Sequence, residues 1–146
     1  MDALNAKKLI VVDSSVAVKW LNKDNEKLLT EADSVLRDLE QKKVQLFAPE
    51  LIKYEVGNAL LNKKISLEQM LISVERFYNI PLNFIIFNPG LAQSAFEIAH
   101  QEKITYYDAC FLALAQKLNA TLVTDNPKHQ KRLHAKIKVI ALENYR

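Results

Sequence analysis

Short apolar runs alternate along this chain with longer stretches in which apolar residues recur every three or four positions. Residues 9–12, Leu-Ile-Val-Val, predict a strand, and Asp13-Ser14-Ser15 follows with the chemistry of a helix start. That helix carries Val16, Val18, Trp20 and Leu21, with Trp20 expected to pack inside. Leu28, Leu29, Ala32, Val35, Leu36 and Leu39 recur at helical spacing and predict an amphipathic helix over 25–42. A second strand is expected at 44–48, and Pro49 suits the first turn of a helix running to 63. Ser66 with Gln69 forms a capping box that opens a helix through Met70, Leu71, Val74, Phe77 and Tyr78. A third strand is expected at 83–87, and Pro89-Gly90 then punctuates the chain before a helix holding Leu91, Ala95, Phe96, Ile98 and Ala99. The helix predicted over 105–118 is apolar nearly all round and must be buried, packed against a sheet. Residues 121–124 and 136–142 supply two further strands, the second suited to an edge.

Strands separated throughout by helices imply a parallel sheet, because parallel neighbours need crossover connections. The expected class is α/β: one domain over 1–146, a central parallel sheet of about five strands with helices on both faces, and a short flexible tail at 1–8. The size suits a single core, and 49% hydrophobic with 25% charged residues is the balance of a globular chain. No apolar stretch approaches the roughly 20 residues a bilayer span requires. The start has no signal-peptide pattern, so cytoplasmic residence is expected. The single cysteine, Cys110, lies in an apolar helix as a small core residue and cannot anchor a zinc cluster. With only two glycines, Gly57 and Gly90, glycine-rich phosphate loops are excluded.

Four acids stand where their segments should be apolar or should end: Asp13, Glu55, Asp108 and Asp125. Asp13 and Asp125 each follow a predicted strand, and ligands of open parallel sheets bind beyond the strands' carboxyl ends. Each acid also has a plain structural account. Asp13 and Asp125 suit helix capping, and Asp108 suits a dipole-favoured place in a first turn after Thr105. Glu55 projects at the border of the inward helix face, where Lys53, Lys63 and Lys64 mark the solvent side. Carboxylates brought together repel unless a cation joins them. A set of oxygen donors with few histidines selects Mg²⁺, or Mn²⁺ as its near-substitute, and such ions serve hydrolysis at phosphorus. Ser14, Ser15 and Thr124 are placed to add hydroxyls, as ligands or as caps.

The segments VVDSSVAVKW, APELIKYEVGNAL, ITYYDACFLALAQKLNATLVTDN and the strand near VIAL resemble, in order and spacing, the PIN-domain ribonucleases, specifically VapC toxins of VapBC toxin–antitoxin modules. The resemblance runs nearly end to end. It implies an endoribonuclease that binds Mg²⁺ or Mn²⁺ through Asp13, Glu55 and Asp108, acts on RNA, forms a homodimer and is inhibited by a small VapB-like antitoxin. The fourth position departs from the family pattern, since Thr124-Asp125-Asn126 puts the acid one residue early and an amide at the expected site. Asp125 swings in as a ligand, Asn126 contributes a neutral oxygen, or Asn126 caps a short helix begun by Pro127; one ion or two depends on the choice.

Lys128, His129, Lys131, Arg132, His134 and Lys136 form a basic run after the fourth position, suited to RNA phosphates or to a solvated helix face, and Lys19 and Lys23 flank the other side. The net charge of +3 permits such a partner without demanding it. His129 and His134 are five apart, which rejects a metal pair on one helical face. Tyr106 and Tyr107 either stack on a base or cover the core. The helices around 28–39 and 66–78 are apolar enough for a dimer face, an antitoxin groove or additional core. Two rivals stand beside this reading. One is a non-catalytic PIN-like module that binds RNA or protein. The other is a phosphoaspartate protein, whose demand for a second acid two places after Asp13 is unmet at Ser15.

Overall fold

The computed structural model describes residues 6–126 and 136–146. In chain order the elements are β1 (Lys8–Val12), α1 (Ser14–Leu21), α2 (Leu29–Glu40), β2 (Val44–Pro49), α3 (Leu51–Leu61), α4 (Leu67–Asn79), β3 (Leu82–Ile85), α5 (Pro89–Glu102), α6 (Tyr106–Leu118), β4 (Thr121–Thr124) and β5 (Lys138–Ala141), followed by a 3₁₀ turn at Leu142–Asn144. All five strands pair in parallel in the order β3-β2-β1-β4-β5. The α/β expectation is met, with β5 at an edge as the sequence implies. Lys8, placed in the tail by the sequence, instead opens β1 and pairs with Val44.

The strand order reverses direction at β1, whose neighbours are β2 on one side and β4 on the other. Crossover chains leave this point in opposite directions, which opens a crevice beyond the carboxyl ends of the two central strands. Ile10, Val11 and Val12 are buried against the helices, and α6 presents an unbroken buried run from Ala109 to Ala115. An apolar helix of that kind is stable only inside, so α6 lies against the sheet and fixes its own first turn relative to the strand ends.

Local chemistry explains several boundaries. The capping box predicted at Ser66 and Gln69 forms, with both reciprocal hydrogen bonds present. α2 begins four residues later than its apolar spacing predicts, because Asn25 and Leu28 adopt left-handed backbone and interrupt the helix before Leu29. Pro49 ends β2 rather than opening α3, and Ile85 pairs with it as the last residue of β3. The strand predicted through 87 therefore stops where its partner stops. Among the described residues no helix is long and apolar enough to cross a membrane.

Trp20 packs inside as expected, 5% exposed, and its indole N–H donates to the Ala32 carbonyl at 2.8 Å, tying α1 to α2. Trp20→Phe removes that additional hydrogen bond to a helical carbonyl, at an expected cost of about 0.5–1.5 kcal/mol. Urea unfolding checks this: the midpoint should fall while the slope stays constant, and an unmoved midpoint would refute the tie.

Candidate active site at the carboxyl rim of the sheet

Asp13 ends β1 and caps α1, and it is 4% exposed. Its Oδ1 accepts from the Ser15 backbone N–H at 3.1 Å and from the Ser15 hydroxyl. Its Oδ2 accepts from the hydroxyl of Thr124, the last residue of β4, which is wholly buried. The carboxylate thus stitches the two central strands together across the crevice. The hydroxyls are used in both directions, since the Asp125 N–H donates to Ser15 Oγ at 3.0 Å and the Asn126 N–H donates to Thr124 Oγ1 at 2.9 Å. The capping account of Asp13 is therefore correct, and it coexists with a place at the rim.

Glu55 is half-buried one turn into α3, and its Oε1 accepts from the Ser14 hydroxyl at 3.4 Å. Ser14 thereby joins Glu55 to the start of α1, next to Asp13. Glu55 also faces α6: burial first, then the negative charge of Glu55, pushes the Cys110 thiol up to about 11. Cys110 is buried as the sequence implies.

Asp108 is half-buried in the first turn of α6, where Thr105 caps the helix by accepting from the Asp108 N–H at 3.0 Å. A helix of 13 residues spans about 20 Å at 1.5 Å per residue. A strand of four spans only about 13 Å. Because α6 leads directly into the start of β4, its first turn projects past the carboxyl end of that strand. Asp108 accordingly joins Asp13 and Glu55 on the same side of the sheet.

Asp125 has a different partner. Its Oδ2 lies 3.1 Å from the Lys19 ammonium, which also holds Glu26 at 3.1 Å. Lys19, expected as a phosphate contact, is turned inward at 3% exposure. Burial pulls its pKa down, but the hydrogen bonds and charges of Asp125 and Glu26 outweigh this and hold it above the usual lysine value. Glu26 is bridged in turn by Lys63 at 2.9 Å, and Lys63 also donates to the carbonyls of Asp24 at 2.6 Å and Asn22 at 3.4 Å. Lys63, expected from the sequence to mark the solvent side, is drawn in by three acceptors on the α1–α2 connection. Glu26 went unnoticed as part of this set, although an acid seven places after an inward lysine was the available signal.

The donors at the rim are oxygens from carboxylates and hydroxyls, the chemistry a hard divalent cation prefers. By donor type and by side of the sheet, Asp13, Glu55 and Asp108 fit such an ion. Among the described residues, no three His, Cys, Asp or Glu side chains already stand around a common point as a finished cage. A groove of about 810 Å³ lies at the opposite ends of the strands, lined by Lys8, Val44, Thr121, Lys138 and Tyr145 among others. A smaller hollow of about 230 Å³ beside the rim is lined by Pro49, Glu50, Leu51, Phe87, Tyr106, Tyr107 and Cys110. Tyr106 packs on Phe96 with ring centroids 4.5 Å apart, whereas Tyr107 is exposed. The basic positions Lys128, His129, Lys131, Arg132 and His134, and the helix start expected at Pro127, fall outside the described residues.

Comparison with known proteins adds to this geometry. The family model described as PIN domain matches residues 10–135. The fold is similar to VapBC2 from Rickettsia felis bound to a DNA fragment from their promoter, with TM-score 0.69 and 20% identity, covering 91% of this chain and 98% of the other. It is similar to DNA-bound VapBC from Salmonella typhimurium, with TM-score 0.67 and 16% identity over 94% and 99% of the two chains. VapC20 from Mycobacterium tuberculosis, a Sarcin-Ricin loop cleaving toxin, matches with TM-score 0.59 and 18% identity over 77% of this chain and 86% of its own. No curated protein sequence matches the chain.

Two outcomes are expected. Glu55→Gln removes the charge facing Cys110, so the thiol should titrate below about 11, read from alkylation rate against pH; an unmoved value would refute the α3–α6 juxtaposition. In the unaltered protein the raised thiol contributes stability below its ordinary value of 9.0, and this contribution is lost as pH rises toward about 11. Thr124→Val keeps the volume but removes the hydroxyl between Asp13 and Asn126, which should cost about 1–3 kcal/mol by chemical denaturation.

Proposed function

The chain belongs to the PIN-domain family, and on that premise we propose that it is an endoribonuclease hydrolysing RNA phosphodiesters with the help of Mg²⁺ or Mn²⁺, the toxin of a toxin–antitoxin pair. The observation that carries the reading is Asp13, buried at the end of β1 beside the strand-order reversal, with Glu55 tied to the start of α1 through Ser14; Asp108 in the first turn of α6 is the third acid of the reading. The donor set and its place beside the strand-order reversal are those expected of a hydrolytic centre in an open parallel sheet.

Asp13, Glu55 and Asp108 would hold the ion. When bound, it supplies Lewis acidity toward a phosphoryl oxygen and lowers the pKa of a water. The chain's own contribution is positional. Ser15 and Thr124 hold Asp13 by both oxygens, so its orientation is set before substrate arrives. Ser14 restrains Glu55, and the cap at Thr105 fixes the turn that carries Asp108. Lys128, Lys131 and Arg132 are proposed to meet RNA phosphates on the segment after Asn126.

A VapB-like antitoxin and a second copy of the chain are the proposed protein partners, in the cytoplasm. Support comes from α3 and α4, which leave Leu61, Leu67, Leu71 and Ile72 exposed. Such a surface is more apolar than scattered single side chains require. A binding module without catalysis is the second reading, favoured by the lack of a finished three-carboxylate cage among the described residues.

The test is cleavage of RNA by the purified chain. Activity should require Mg²⁺ or Mn²⁺, stop with a chelator and return on adding the ion. Asp13→Asn with Asp108→Asn should abolish it; cleavage surviving the pair would sink the nuclease assignment to this rim.

A further inference from the structure

Four side chains of alternating sign run from the rim into the body of the protein: Asp125, Lys19, Glu26 and Lys63, each within 3.1 Å of the next. Their formal charges cancel. The row is inward-facing, with side-chain exposures of 31% for Asp125, 4% for Lys19, 18% for Glu26 and 12% for Lys63. Asp125 is gripped twice by one face of α1. Ser15 takes its backbone N–H and Lys19, four residues further and one turn along the same face, takes its carboxylate.

We propose that Lys19 is a positioning residue that serves Asp125 as a built-in counter-cation, so that this acid is not a metal ligand and each chain takes one ion rather than two. The inference rests on the metal-dependent reading above and adds to it which acid does not become a ligand. A divalent ion gains less from a carboxylate already neutralised by an ammonium at 3.1 Å. Recruiting Asp125 would also leave Lys19, buried at 3% exposure, with one of its two carboxylates gone. Removing one partner from a buried ion pair is strongly unfavourable, because the other charge keeps its desolvation cost. Lys19 cannot follow Asp125 outward without abandoning Glu26, which Lys63 and the α1–α2 connection hold in place. Asp125 and Asp13 thus sit on adjacent strand ends in different surroundings: Asp13 accepts from the hydroxyls of Ser15 and Thr124, and Asp125 is paired with the Lys19 ammonium.

Mn²⁺ titration of the chelator-treated full chain, followed by the electron paramagnetic resonance signal of free Mn²⁺, tests this without reference to cleavage. The unaltered chain should take up one Mn²⁺, and Asp125→Asn should still take up one with similar affinity. Lys19→Gln releases Asp125 and should admit a second ion, which the double variant with Asp125→Asn should lose again. Two ions in the unaltered chain, falling to one in Asp125→Asn, would overturn the proposal even if Lys19→Gln fails to fold. A folded Lys19→Gln protein that is merely less heat-stable and still takes one ion would overturn it too, leaving Lys19 as plain structure. Uptake of no Mn²⁺ by the unaltered chain overturns the metal-dependent reading itself, a result distinct from either of these.

Discussion

A carboxylate enclosed at the middle of a parallel sheet is tolerable only if its surroundings supply donors to both oxygens. Asp13 meets that condition by drawing its donors from two places, the first turn of α1 and the end of β4. The two hydroxyls in turn accept from the backbone N–H groups of Asp125 and Asn126. The rim is consequently a closed hydrogen-bonding unit, and the path of the chain beyond β4 is set by the same residue that starts α1. Everything proposed for the site depends on this one buried group staying charged and oriented.

Two kinds of charged side chain meet at the rim, and they divide the work. Asp13 accepts from the hydroxyls of Ser15 and Thr124, and Glu55 from the hydroxyl of Ser14. Asp125, Glu26, Lys19 and Lys63 cancel one another. The second group ties α1, the α1–α2 connection and the end of α3 into one frame.

Much of this was legible in the amino-acid order. The apolar circumference of 105–118 foretold a buried helix, the Ser66–Gln69 pair foretold the cap of α4, and the run ending at Asp13 foretold a strand end at a rim. What escaped were pairings between residues distant in sequence. Lys63 looked like a surface lysine because Glu26 is 37 positions away, and Lys19 looked like a phosphate contact because Asp125 lies on the far side of the chain. Periodicity encodes which face of a helix is buried and carries nothing about which charge will meet it there. The late start of α2 escaped for a similar reason: Leu28 keeps the apolar rhythm while its backbone turns left-handed.

The partners Asp13 and Thr124 are separated by 111 residues. At about 5–20 residues per second, a ribosome needs on the order of 10 seconds to make that interval. Throughout that time β1 lacks its neighbour on one side and the crevice has only one wall. The rim is therefore completed only once β4 has been made, and a chain truncated before β4 carries Asp13 without the Thr124 hydroxyl that helps to orient it.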